Sequence, residues 1–154
     1  MSDLVLDLQE FTDTLIGLLT TANITENWGV HSLSGESPGR IVAGNVPMIF
    51  LDMVDFNPTQ AQMSYPQYSV EGVYSCKVVV VGHDFKHVNM EMELKHLASL
   101  VWNWLIKNFT LGGYVADSQT GGIVFGATVH EGGAQGSADI SFSATKVLTF
   151  TLTK

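Results

Sequence analysis

The stretch from about Asn89 to Phe109 constrains the chain most. Its apolar residues Met90, Leu94, Leu97, Ala98, Val101, Trp104, Leu105 and Phe109 fall at steps of four, three, one, three, three, one and four. That spacing lays one stripe along a helix of period 3.6 and predicts a helix with one buried face. Asn89 suits the N-cap, where a side-chain oxygen accepts a free first-turn amide. Glu91 and Glu93 sit at the positive end of the helix dipole and Lys107 at the negative end. Gly112-Gly113 is the expected stop, because glycine takes left-handed backbone without a Cβ clash. The rest of the chain reads mainly as β-strand that needs such a helix to cover a face.

A second amphipathic helix is expected from Asp3 to about Ala22, on the recurrence of Leu4, Val5, Leu8, Phe11, Leu15, Ile16, Leu18, Leu19 and Ala22, with Ser2 or Asp3 as cap. Residues Asn23–Asn45 read as irregular. Pro47–Val54 reads as a strand covered on both faces, because Met48, Ile49, Phe50 and Leu51 are consecutively apolar. Asp55–Gln67 contains Pro58 and Pro66 without periodicity. It is expected to be a loop, an arm that orders on a partner.

Tyr68–Gly82 reads as a long strand, since Val78–Val81 are β-branched and crowd a helix. A turn is expected near Gln119–Gly121, a strand over Gly122–Glu131, and a flexible hairpin tip over Gly132–Gly136. In Ser137–Thr153, apolar residues hold even positions and hydroxyl or acidic residues hold odd ones, a strand with one wet face. Lys146 and Val147 break that alternation, so a bulge or bend is expected there. The order of helix, strands, helix, strands predicts an α+β fold: a mixed, mostly antiparallel sheet with two helices packed on one face. At 154 residues, one domain over 1–154 is expected.

Composition narrows the function. Only 14% of residues are charged, against about 25% in an ordinary soluble domain. That points mildly to a surface partly covered by partners. The net charge is −8, from 15 acidic and 7 basic residues, and no cluster of Lys and Arg is available to neutralise phosphates. Tight nonspecific DNA binding is therefore disfavoured, while an acidic surface that DNA slides past is not. Cys76 is the lone cysteine, which excludes an intramolecular disulfide and reads as a buried thiol. No apolar run approaches the ~20 residues that span a bilayer, and the acidic start is unlike a secretory signal. The expectation is a soluble protein made in the cytoplasm.

Catalytic motifs are scarce. His83, Asp84 and His87 form the one metal-like group, and they also read as a solvated link into the helix. Glu91 and Glu93 are two apart on a helix and do not face each other. The chain has no Gly-x-Ser-x-Gly elbow, no phosphate loop and no His-Glu-x-x-His motif. No catalytic residue, metal site or cofactor is assigned. Interface candidates are Asp55, Phe56, Asn57, Met63, Tyr65 and Tyr68 in or beside the arm, Trp102 on the central helix, and Gly133 and Gln135 in the glycine-rich tip. Trp102 and Trp104 lie on different helix faces; either one is in the core and the other exposed at an interface, or both are partly buried within the monomer.

The order of elements, together with Asn108-Phe109-Thr110-Leu111-Gly112-Gly113-Tyr114-Val115, resembles the tail terminator and tail-completion (neck) proteins of long-tailed bacteriophages. In that family a helix is commonly followed by an Asn-x-x-Leu-Gly-Gly-x-Val-like turn. The resemblance implies a structural virion protein without enzyme activity. It implies a hexameric ring that caps the tail tube, stops its polymerisation and meets a head-completion or connector protein, with DNA passing through as cargo. Its partners would be itself, the tube protein and the head-completion protein, with no membrane. The alternatives are a tube, baseplate or other neck subunit of related topology and, from another class, a small metal-dependent enzyme using His83, Asp84 and His87.

Overall fold

The structure, a computed structural model, describes residues 4–22, 32–34, 47–84, 90–130 and 133–153. In chain order these form α1 (Leu8–Ala22), β1 (Ser32–Ser34), β2 (Met48–Ser64), β3 (Gln67–Asp84), α2 (Met90–Lys107), a 3₁₀ turn at Leu111–Gly113, β4 (Asp117–His130) and β5 (Gly133–Thr151). The strands make one sheet in the order β1-β2-β3-β5-β4. β1 runs parallel to β2 and every other pairing is antiparallel. The fold is α+β, a mixed and mostly antiparallel sheet with both helices on one face.

The core follows the two periodicities. From α2, Leu94, Leu97, Ala98, Val101 and Leu105 are buried; from α1, Phe11, Leu15 and Leu19. They meet Ile49, Leu51, Tyr74, Cys76, Val78, Val80, Ala138, Ile140, Phe142 and Ala144 on the sheet. Burying each large apolar side chain contributes about 1.5–3 kcal/mol, which holds helices too short to persist alone. Met48, Phe50, Val79 and Val81 form a second buried cluster on the opposite face. The run Met48–Leu51 is thus covered on both sides, as its unbroken apolar character requires.

Several expectations need correction. α1 begins at Leu8, not near Asp3. Asp7 is the cap: its Oδ1 accepts the amides of Gln9 (3.0 Å) and Glu10 (3.2 Å). Leu4, Val5, Leu6 and Leu8 lie exposed rather than on the core stripe. Ser2, Asp3 and Asn89 lie outside the described residues. α2 stops at Lys107, before the glycines, where the Asn108 side chain donates to the Trp104 carbonyl at 2.9 Å. Phe109 is therefore exposed in the turn. Gly112 and Gly113 take φ of 69° and 92°, and Leu111 joins them at 49°. Leu111 tolerates that backbone because its side chain is buried in the core.

The strands differ from expectation in the same direction. The Gln119–Gly121 turn is a bulge inside β4, where the register shifts between Thr120 and Ile123. At Lys146 and Val147 β5 has no bulge and its pairing with β3 runs straight through. Lys146 keeps its inward position because its Nζ sits 3.4 Å from the centroid of the Tyr114 ring, a cation–π contact that accommodates the charge. Val147 points to the wet face, about half exposed.

Candidate assembly surface

The largest correction concerns Asp55–Gln67. It is not a loop. β2 and β3 pair continuously to Ser64↔Gln67, with the turn at Tyr65-Pro66, and make a long hairpin arm. Pro58 is compatible with a strand because β1 covers β2 only at Met48–Phe50. Beyond that point β2 is an edge strand among the described residues, where a missing N–H leaves no ladder bond broken. The chain also bulges there, with register shifts between Asp52 and Asp55 and between Pro58 and Gln60. Irregular pairing hid the alternation that reveals a strand.

The base of the arm is braced by aromatics. Phe11 stacks on Tyr74 with ring centroids 4.5 Å apart, and Phe56 meets Tyr74 edge-on at 5.0 Å. The Phe56 ring lies over Gly72, where a Cβ would collide with it. Further out, the Thr59 hydroxyl donates to the Glu71 carbonyl at 3.0 Å and the Leu152 amide donates to the Pro66 carbonyl at 2.7 Å. β5 thus reaches the tip and stiffens it. From Asn57 to Gln67 every residue is exposed, whichever face it points to. Met63 and Tyr65 are 63% and 60% exposed. The helix-side face of the arm holds an open groove of ≈ 640 Å³ lined in part by Leu6, Phe56, Pro58, Tyr68, Val70 and Phe150.

Of the predicted interface residues, Asp55, Phe56, Asn57, Met63, Tyr65 and Tyr68 all lie on this arm. Asp55, Asn57, Met63 and Tyr65 are exposed; Phe56 and Tyr68 are half-buried. Gly133 and Gln135 do lie at the tip end of the β4–β5 hairpin, but as strand residues of β5, paired with His130 and Thr128, and not in a loop. They lie at the other end of the sheet from the arm, because β5 runs antiparallel to β3. Trp102 is not an exposed anchor either. It is half-buried against the core, as is Trp104, and its Nε1 donates to the Gly121 carbonyl at 2.8 Å. That bond holds the β4 bulge.

The strand expected over Gly122–Glu131 is β4, but none of its residues was among the predicted interface residues. Val124 and Phe125 are 67% and 48% exposed, on opposite faces of the outermost strand. The signal was present, because Gly122–Val129 carries no charge and no proline.

A shallow concavity of ≈ 670 Å³ opens beside the β4 bulge; its polar lining includes Asp55, Ser75, Lys77, Ser141 and Ser143 of the wet face, and Ile106 of α2 also borders it. Cys76 borders it but is buried, and burial, then Asp55, pushes its thiol up to about 12. A thiol so protonated is a poor nucleophile. His83 and Asp84 are the last residues of β3. Their side chains, and His87, lie outside the described residues. Among the described residues no group of three or more His, Cys, Asp or Glu is placed to hold a metal ion, and no helix is long and apolar enough to cross a membrane. No protein-family model and no curated protein matches the chain.

Proposed function

We propose that this protein is a structural virion subunit, a tail terminator that forms a ring on the tail tube, stops its growth and joins it to the head-completion complex. The observation that carries this reading is the arm. A hairpin exposed on both faces gains little from its own fold, and its exposed Met63 and Tyr65 gain most when covered by a neighbour. The ring is homomeric and, by the resemblance, hexameric. The tube protein docks on one face and the connector on the other. The wet face of the sheet lines the DNA path. Its Ser and Thr rows carry Asp55, Glu71 and Asp139 beside Lys77, so carboxylates outnumber the cation there and phosphates find little to hold, and DNA passes as cargo. No cofactor is required, and the site of action is the virion neck after assembly in the host cytoplasm.

Light scattering across concentrations, with imaging of the particles, tests this. A closed oligomer near six copies with a central hole is the expected result. Open-ended tubes would move the protein to the tube-subunit reading. Stoichiometric transition metal in the purified chain would favour the enzyme built on His83, Asp84 and His87.

A further inference from the structure

Among the described residues, the sheet has two open edges. β4 forms one along its whole length, with no described strand beyond it. β2 forms the other from Leu51 outward, since β1 ends at Phe50. Soluble proteins blunt such edges with Lys, Pro, bulges or very short strands, because a row of unpaired amides and carbonyls templates another chain. β2 is blunted over Met53–Thr59 by two register shifts and Pro58. β4 is unblunted from Gly122 to Val129: Ile123, Val124, Phe125, Gly126, Ala127 and Thr128 bring no charge and no proline, and Val124 and Phe125 stand exposed on either face. Such a segment aggregates unless it is covered.

We infer that the outer edge of β4 receives the outer half of β2, Gln60–Ser64, from a second copy of this chain. Three observations select that occupant. Gln60–Ser64 pairs regularly with β3 and lies beyond the blunted stretch, so its free edge is straight. The side chains match by face: Met63 stands on the helix side with Phe125, and Gln62 on the wet side with Val124, as their partners Tyr68, Ala138, Ser69 and Asp139 fix. A β4–β4 contact would be two-fold and leave the arm edge unused, whereas β4 on β2 is head-to-tail and engages both edges of every copy. Main-chain hydrogen bonds then supply affinity and the flanking side chains supply register. The inference rests on the self-assembly part of the proposed function and names the surfaces that carry it.

The test uses the full chain and light scattering. Val124→Lys and Phe125→Lys, each on one face of β4, are expected to shift the assembled mass to that of a single chain. Met92→Lys, at an exposed position on α2 (60% exposed), is expected to leave it assembled. All three should keep the wild-type secondary structure by circular dichroism, while the two β4 variants lose whatever thermal stability assembly adds. The partner strand is read by oxidative cross-linking of Val124→Cys combined in turn with Gln60→Cys, Gln62→Cys or Ser64→Cys. A ladder of linked oligomers from at least one pair, with none from Val124→Cys alone, is the expected result. Linkage through Val124→Cys alone, or through none of the three pairs, overturns the choice of β2. A wild-type chain that stays monomeric at every concentration overturns the inference outright. A closed ring that ignores the β4 substitutions sinks the edge contact and leaves the terminator reading standing. Open fibres broken by those substitutions keep the edge contact and sink the terminator.

Discussion

Gly72 shows how one residue sets the arm's geometry. The Phe56 ring occupies the space over it, and Phe56 in turn leans on Tyr74 and, through it, on Phe11 of α1. Gly72→Ala must push that ring away, at a cost of about 1–3 kcal/mol for overpacking. Chemical denaturation should show the loss, and Phe56→Leu in the same chain should recover part of it; equal losses with and without Phe56→Leu would mean the ring is not what the methyl group meets. Cys76 gives a pH dependence. Its ordinary thiol value of 9.0 is raised to about 12 in the fold, chiefly by burial. Between those values the unfolded chain loses a proton that the folded chain keeps, so stability is full below pH 9 and falls as pH rises towards 12. Burial raises Tyr74 and Tyr114 in the same sense, while Lys146, lowered by burial, works in the opposite one. Denaturation midpoints are therefore expected to fall above pH 9, less steeply in Cys76→Ala than in the parent; parallel slopes would remove the thiol from the account.

At the scale of elements, the sequence was most legible where one period runs unbroken. The α2 stripe from Leu94 to Leu105 and the alternation of β5 from Ala138 to Phe150 lie where their spacing put them. Lys146 disrupted only the pattern of polarity, not the strand, because an aromatic ring below it receives the ammonium. Legibility failed where pairing, not periodicity, makes the strand. Pro58 and two register shifts break the alternation of β2, so its arm read as loop, and Gly121-Gly122 made a bulge in β4 look like a turn. Six of the nine predicted interface residues fall on the arm, and the reason that picked them does not hold: they stand on a hairpin that outruns its helices, not on an irregular loop. Trp102 and Trp104 are both half-buried, one of the two arrangements their spacing allowed, while the hydrogen bond from Trp102 to Gly121 is what spacing does not reveal. The start of α1 was misjudged because Leu4 and Val5 continue a helical pattern that the chain does not use before Leu8. Asp7 sets that start, and Asp7→Ala should cost about 1 kcal/mol of stability by removing a cap. A change within measurement error would move the helix boundary back towards the N-terminus.

At the scale of the whole molecule, charge and assembly oppose each other. Each copy carries −8, and copies in a ring would hold those charges close together around one axis. At ~0.01 M salt the screening length is about 30 Å, comparable to a small domain, and neighbouring copies repel across their full width; at ~0.1 M it is about 10 Å, and repulsion is confined to facing groups. Contacts made by main-chain hydrogen bonds and apolar side chains such as Met63 and Phe125 do not weaken in that range. Salt should therefore strengthen self-association: the concentration at which copies assemble, followed by light scattering, is expected to fall as salt rises from ~0.01 to ~0.15 M. An interface built on complementary ion pairs would behave the other way, and weakening by salt would exclude the edge-to-edge contact as its main source. Duplex DNA added at low salt separates the remaining role of the charge. A ring whose inner wall lacks clustered cations should leave DNA unbound even there, where phosphate binding is strongest, and retention of DNA that is lost on adding salt would show that the wet face grips its cargo rather than letting it pass.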